Sequence, residues 1–363
     1  MTSFLYYILP HTPPSHRSAK NRTKMSKYIA VHGKPQGPGD ARPTAQQIVE
    51  DEEVKGKLAG KTIFITGANQ GIGFETVRAL RTTGATIFLG VRDLKKGQQA
   101  VEDLRASNPN NGAPLHLIEL SLNSLNSVRA AAQAFLAQRA NLNILILNAG
   151  VMATPEGKTV DGFETQFGIN HLGHFLLFQL LKPALLAAAT PSFTSRVISL
   201  SSLAHRVSDI RFHDLNFEEE GSYEPWVAYG QSKSANIYMA TEIDKRYGPM
   251  GVHALSLHPG TIATNLGQYV DPKAVEAMVD DQVKLMMKSA PQGAATTVYA
   301  AISKDWEGRG GRYLSDCGEP GPAKPSLSMV WTDVGHAPWV YDEHKAAKLW
   351  FESCKLVGIE DNA

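Results

Sequence analysis

Residues 61–73 read Lys-Thr-Ile-Phe-Ile-Thr-Gly-Ala-Asn-Gln-Gly-Ile-Gly, and the succession of residue types in this stretch decides the fold. Thr62–Thr66 is a β-rich apolar run, glycines follow at 67, 71 and 73, and a helical pattern carrying Val77 and Leu80 comes next. Gly67 permits a tight turn, Gly71 lets backbone approach a ligand, and Gly73 lets the helix pack closely on the strand. The helix N-terminus offers unpaired N–H groups and partial positive charge, which suit a pyrophosphate. Turn glycines in an ordinary loop would lack the strand before and the helix after. The stretch therefore reads as a dinucleotide loop built from Gly67, Asn69, Gln70, Gly71, Ile72 and Gly73.

Outward from this unit the alternation continues. β-rich runs at Thr86–Val91, Leu115–Glu119, Leu142–Leu147, Arg196–Leu200 and Val252–Leu257 are separated by helical patterns such as Ser124–Arg139, with Leu125, Val128, Ala132 and Phe135 in register. That order is the signature of βαβ units and a parallel sheet. The runs are apolar throughout, as strands covered on both faces must be. The predicted fold is α/β, a doubly wound parallel sheet of the Rossmann type in a single domain over residues 59–358. Residues 1–58 are expected to be an N-terminal extension, largely disordered. Two segments break the rhythm: 205–226, irregular and partly acidic, and 262–292, a helical excursion before the last strand. Loops at the carboxyl ends of strands carry ligand contacts in such sheets, so both are candidate substrate walls.

With 363 residues, 43% of them apolar, the chain can bury one large core. Lys plus Arg number 36 against 35 Asp plus Glu, so no global field draws nucleic acid or an anionic membrane. The expected partner is a small molecule. Cys317 and Cys354 are the two cysteines, which argues against a disulfide framework and for a reducing, cytoplasmic compartment. No spanning membrane segment is expected; the apolar stretch Phe175–Leu181 reads as a buried helix, with a homo-oligomer interface as the alternative. Near the N-terminus, Phe4–Pro10 lacks the basic leader of a signal peptide, whereas Arg17, Lys20, Arg22, Lys24, Lys27 and Lys34 precede or flank the first acid, Asp40, in the manner of a transit segment. A translation start at Met25 is the plainer account. Asn21-Arg22-Thr23 has the glycosylation pattern, which a cytosolic chain would not use.

The second strand runs out at Val91-Arg92-Asp93. A guanidinium at this tip can pair with a 2′-phosphate, which favours NADP(H); NAD(H) stays open through Asp93, should its register let it reach the ribose hydroxyls. Tyr229-Gly230-Gln231-Ser232-Lys233 opens a long helical segment, putting Tyr229 and Lys233 on one face. A free phenol has a pKa near 10, and a cation beside it favours the phenolate, so Lys233 is expected to tune Tyr229 as a proton shuttle. Ser202, at the end of a strand, can hydrogen-bond a substrate oxygen at the same sheet edge.

Together these motifs resemble the short-chain dehydrogenase/reductase family: Thr66-Gly67-x-x-x-Gly71-x-Gly73, Asn148-Ala149-Gly150, Asn170, Ser201-Ser202, Tyr229-x-x-x-Lys233 and Pro259-Gly260 occur in its order. Gly168–Phe175, Ser201–His205 and Pro291–Ala294 are similar to the branch of retinol dehydrogenases and related carbonyl reductases. The resemblance implies a catalytic tetrad of Asn170, Ser202, Tyr229 and Lys233, with Ser201 as the fallback serine. In it Tyr229 protonates a carbonyl oxygen, Ser202 polarises it, Lys233 also holds the nicotinamide ribose, and Asn170 anchors a water that reprotonates Lys233. It further implies cofactor contacts from Asn148, Ala149, Gly150, Pro259, Gly260, Thr261 and Thr264. The chain departs from the family at Glu119-Leu120-Ser121-Leu122, where an acid usually meets adenine; Ser121, beside Leu122, still offers a hydroxyl.

His171 and His174 lie three apart on a helix, with His205, His213, His253 and His258 elsewhere, but no spacing completes a metal site, and none is expected. The reading is an oxidoreductase interconverting a ketone or aldehyde and its alcohol with NADP(H). Val207, Phe217, Trp226, Val227, Leu285, Met286 and Met287 point to a lipophilic substrate of the terpenoid, polyketide, retinoid or steroid kind, such as secondary metabolism supplies. The rivals are a non-catalytic cofactor-binding redox sensor, against which Tyr229 and Lys233 argue, and a sugar-nucleotide epimerase, whose glycine spacing differs.

Overall fold

The computed structural model describes residues 26–324 and 333–361. Seven parallel strands form one sheet: β1 (Thr62–Thr66), β2 (Thr86–Val91), β3 (Leu115–Glu119), β4 (Ile144–Leu147), β5 (Ser195–Leu200), β6 (Val252–His258) and β7 (Arg312–Ser315). Their order is β3-β2-β1-β4-β5-β6-β7, so the winding reverses between β1 and β4, where Ile63 pairs with Ile144. The helices that frame the sheet and its edge include α1 (Ala45–Asp51), α2 (Gly71–Arg81), α3 (Leu94–Ser107), α4 (Leu125–Leu136), α5 (Gly173–Ala188), α6 (Pro225–Tyr247), α7 (Asp281–Met286), α8 (Ala295–Ile302) and α9 (Glu343–Val357), with shorter turns and the helix Pro272–Met278 besides.

Successive strand residues face opposite sides, and here both sides are covered. Ile63, Ile65, Ile87, Leu89, Ile144 and Ile146 share one core with residues of α1, α2, α3 and α8. Phe64, Phe88, Leu145 and Leu147 share the other with α4, α5, α6 and α9. This is why the strands read as unbroken apolar runs. β4 starts two residues later than its run suggested, although Asn143 still pairs with both neighbours, giving its N–H to Thr62 O and accepting from Arg196 N (2.9 Å each), while its side chain accepts from Thr62 N (2.9 Å).

Among the described residues one helical stretch, Thr165–Ala188, is long and apolar enough to cross a membrane by length and composition. Its apolar window is 67% buried within the chain, and Phe175 and Phe178 lie edge-on to Trp350 of α9 at 4.9 and 6.1 Å. Each such ring contributes about 2–3 kcal/mol by leaving water. The stretch is thus a core helix.

The extension is where the structure departs most from expectation. Residues 1–25 lie outside the described residues, but from Ser26 the chain packs against α8 and α2, with Tyr28 edge-on to Tyr299 and Ile48, Val49, Val54 and Leu58 buried in the core that includes α8. Thr44 caps α1 by accepting from Gln47 N (3.2 Å). The Pro- and Gly-rich composition of 33–44 masked this, because its burial depends on partners some 250 residues away.

Candidate active site

The glycine loop, Arg92, Asn148, Ser202 and Pro259 all follow the carboxyl ends of their strands, so they share one sheet edge that straddles the reversal between β1 and β4. Gly67 has φ 65° and Gly71 φ 55°, which only glycine adopts freely. A Cβ at Gly73 would collide with Gly67 O and lie 2.6 Å from Asn148 Nδ2, so α2 sits against the loop as closely as backbone allows. The helices that open at Ala45, Leu94, Leu125, Pro225 and Glu343 each have a side-chain cap; α5 and α8 lack one but continue from a preceding helical turn, whereas α2 has none at Gln70 and follows extended backbone. Its first-turn amides therefore keep their donor capacity for a ligand. This uncapped terminus behind a glycine cradle fits a dinucleotide pyrophosphate.

At the adenosine end, Arg92 is exposed and makes no ion pair among the described residues, whereas the Asp93 carboxylate accepts from Lys95 N and Lys96 N (2.9 and 3.1 Å) as the cap of α3. The acid that could have met ribose hydroxyls is engaged with a helix. Ser121 is half-buried, its N–H given to Ser127 Oγ (2.9 Å), and Leu122 is buried against Gly173.

Thr66 organises the junction between β1 and β4. Its hydroxyl oxygen accepts from Asn148 N and Ala149 N (2.9 Å each), so its proton goes to His174 Nε2 (2.9 Å). His174 Nδ1–H must then donate to Asn170 O (3.0 Å), which fixes the tautomer of a neutral ring. Burial pushes the His174 pKa down to about 3. The Asn148 amide also donates to Thr66 O (2.8 Å). One buried histidine thus ties the cofactor loop to the segment bearing Asn170. No sequence spacing links Thr66 to His174, so this relay was not legible.

Asn170 lies in a single π-turn, Gly168–Leu172, a local insertion common at functional sites. Its side chain donates to Val151 O and Ser232 Oγ (2.9 Å each) and accepts from Val151 N (2.8 Å). Gly150 lies between it and Lys233: a Cβ there would be 3.0 Å from Asn170 Oδ1 and 3.5 Å from Lys233 Nζ. The structure therefore brings Asn170, Tyr229 and Lys233 together, all buried.

Lys233 Nζ donates to Leu200 O (3.0 Å) and stands 5.5 Å from the centre of the Tyr229 ring. Burial pushes the phenol up to about 12, opposed by a hydrogen bond with Ser202, and pushes the ammonium down to about 8. The expectation that Lys233 depresses Tyr229 is therefore not met in this arrangement, since the cation faces the ring and burial outweighs it. The two serines differ in their hydrogen bonding and exposure. Ser201 Oγ donates to Lys233 O (2.8 Å) and is buried, whereas Ser202 is half-exposed beside the phenol.

Segment 205–226 is pinned through Gln231 Nε2 to Leu215 O (3.0 Å) and Tyr223 OH to Thr154 O (2.8 Å). Phe217 is buried within the segment against Tyr223, so it serves the loop's own packing. Trp226, half-buried, stands edge-on to the Tyr229 ring at 6.2 Å and is an apolar wall beside it. Segment 262–292 leaves β6 through Pro259-Gly260-Thr261 and returns over the loop: Thr264 lies 3.5 Å from the Cβ position of Gly71, and Asn265 Nδ2 donates to Gln70 Oε1 (3.1 Å). Among the described residues no group of three metal-ligating side chains occurs. His171 Nε2 instead meets Ser353 Oγ (2.8 Å), His205 bridges Ser202 O and Ala337 N, and His253 pairs with Asp244.

A family model described as short chain dehydrogenase matches residues 61–214. The chain is 46% identical over 345 residues to the short-chain dehydrogenase/reductase prx1 of Penicillium roqueforti, covering 93% of this chain and 98% of that one. It is 39% identical over 304 residues to retinol dehydrogenase 12 of Mus musculus, covering 84% and 88%. A solved structure of an uncharacterised protein from Mycobacterium paratuberculosis superposes with a TM-score of 0.62 at 35% identity, covering 84% of this chain and 96% of that one.

Proposed function

Because the chain belongs to the short-chain dehydrogenase/reductase family and is an oxidoreductase acting on CH–OH groups, we propose that it interconverts a lipophilic ketone or aldehyde and its alcohol with NADP(H). The observation that carries this reading is the union of an uncapped, glycine-cradled helix terminus with a buried Tyr229–Lys233 pair at the same sheet edge. When bound, the nicotinamide exchanges the hydride with the carbonyl carbon. Tyr229, kept protonated by burial, gives its proton to the carbonyl oxygen in reduction, and Ser202 donates a second hydrogen bond to that oxygen. Lys233 supplies a buried positive charge beside the phenol as phenolate character develops, with two N–H donors left for a ribose after its bond to Leu200 O. The Asn170 side chain is spent on Val151 and Ser232, so its part is to hold the wall around Lys233 and to offer its carbonyl to a water.

Arg92 pairs with a 2′-phosphate in this reading, favoured by the engagement of Asp93 as a helix cap. Trp226 beside Tyr229 favours an apolar substrate. The two free, buried cysteines fit a reducing cytoplasmic setting. The test is fluorescence titration with NADPH and NADH, followed by turnover of all-trans-retinal, decanal and glyceraldehyde by wild type and Tyr229→Phe. Tighter NADPH binding, turnover of the apolar compounds and loss of about 10³-fold or more in the variant are expected, the last being the scale of removing a general acid. NADPH binding without turnover of any carbonyl compound would favour the redox-sensor reading.

A further inference from the structure

Segment 262–292 is a flap closed at its base. Ile262 and Lys288 form a parallel bridge, Lys288 N donates to Thr261 O (2.9 Å), and Lys288 Nζ pairs with Asp316 (2.6 Å) below Gly260. The inner limb of the flap, from Thr264 to Gly267, lies over Gln70, Gly71 and Met152 at the sheet edge. The outer limb, α7 and the residues after it, has three successive carbonyls, of Leu285, Met286 and Met287, at a helix C-terminus, where no intrahelical N–H can serve them.

Those carbonyls are met by one side chain from the other end of the chain. Arg42, with its side chain 2% exposed, donates through Nη1 to Met286 O (2.7 Å) and through Nη2 to Met287 O (2.6 Å), Leu285 O (3.4 Å) and Gly37 O (3.0 Å). Its Nε donates to Asp40 Oδ1 (2.8 Å), and burial, which alone would raise the Asp40 pKa, is outweighed by this pairing, so the carboxyl sits at about 2. Backbone adds to the grip: Gly37 N donates to Leu285 O (2.8 Å) and Gly39 N to Gln292 Oε1 (2.8 Å), while Gln292 Nε2 donates to Asp40 O and Arg42 O. A guanidinium is suited to this role because its planar donors are fixed in a fork, and cationic charge is favoured at a helix C-terminus.

We infer that residues 36–42 are a strap that fixes the outer limb of the flap, with Arg42 as a positioning residue that sets affinity for the carbonyl substrate without touching it. The inference rests on the proposed carbonyl chemistry for its kinetic consequence, but the mechanical part stands on the contacts alone. Loss of the fork leaves Met286 O and Met287 O without the guanidinium, Leu285 O with Gly37 N alone, and Asp40 with only its uncharged donors Gln36 N, Arg42 N and Gln292 Nε2, so the outer limb opens locally while the sheet, buried elsewhere, does not.

The experiment compares wild type with Arg42→Met, Arg42→Lys and the milder Asp40→Asn by amide hydrogen exchange, NADPH fluorescence titration and decanal kinetics. Arg42→Met is expected to speed exchange in 281–292 by about tenfold or more, with β4 and β5 unchanged. It is expected to raise KM for decanal about tenfold, with kcat within about threefold and NADPH affinity within about twofold, the pattern of lost substrate binding. Arg42→Lys, which keeps charge but not the fork, should recover part of the affinity, and Asp40→Asn should show the same changes at smaller size if Arg42→Met is poorly soluble. Unchanged exchange and KM overturn the inference. So does a parallel loss of NADPH affinity, kcat and thermal midpoint, which marks Arg42 as a general stabiliser. A wild type that turns over no carbonyl compound removes the proposed chemistry instead, and flap exchange then decides the strap on its own.

Discussion

Acidification from pH 7 to pH 5 is expected to remove a large part of the folding stability. His171, His174, His205 and His258 are buried, and burial holds each at about 3 against an ordinary 6.5. A group whose folded pKa is depressed takes its proton more readily when unfolded, so its contribution is fully present above about 6.5 and is lost as pH falls toward 3. Between pH 7 and pH 5 each imidazole costs about 2 kcal/mol. Glu164, buried as a cap and pushed by burial up to about 7, works in the opposite direction, since the folded state takes its proton first. It returns about 2 kcal/mol over the same interval, so these five groups together account for a loss on the order of 6 kcal/mol. Native margins are about 5–15 kcal/mol, so the effect is comparable to the margin itself. Urea unfolding followed by far-UV circular dichroism at pH 7, 6 and 5 reads it directly. His171→Phe supplies the control: the ring lies between Phe167 and Phe175 at 5.1 and 5.9 Å and makes one bond, to Ser353. The variant should lose about 1 kcal/mol at pH 7 for the stranded serine, yet show about 2 kcal/mol less acid sensitivity. Equal stability at pH 7 and pH 5, or an unaltered pH slope in His171→Phe, would refute the reasoning.

The two serines should separate cleanly. Ser201→Ala, which removes the bond to Lys233 O, is expected to cost about 1 kcal/mol of stability and leave kcat within about threefold, whereas Ser202→Ala should lower kcat about 10²-fold with NADPH affinity retained. Arg92→Gln should weaken NADPH binding by about tenfold, a modest charge-assisted bond at an exposed site, and leave NADH binding unchanged in the same fluorescence titration. In steady-state assays kcat for reduction should fall as pH rises through about 8, because the buried Lys233 loses its charge there; a flat profile to pH 10 would exclude a charged Lys233 from the reaction.

The fold was largely legible because its information is local. A strand, three glycines and a helix within residues 62–80 state the first βα unit outright, and burial on both faces leaves the other strands as apolar runs. Tyr229 and Lys233 were legible for the same reason, being four apart on one helix. What escaped depends on partners remote in sequence. β7 is four residues at the sheet edge, recognisable mainly by its pairing with β6. Ser201 and Ser202 are chemically alike, and only the carbonyl of Lys233 separates them. The Lys233–Tyr229 spacing was read correctly, but not the orientation of ammonium to ring, which depends on χ angles and burial. The strap was mistaken for a tail because Pro, Gly and a single arginine carry no periodic signal, while its partners lie on α7 and at Gln292.

That strap also bears on the order in which the molecule is made. Arg42 and its carbonyl partners are 243 to 245 residues apart. At ribosomal rates of about 5–20 residues per second, the strap emerges roughly 12–50 s before the segment it grips. Ile48 and Val49 wait still longer for α8, while β1 through β6 can already pair. The first described part of the chain to be synthesised is therefore expected to be among the last to dock, and the substrate side to gain its final shape only when nearly all of the protein has left the ribosome.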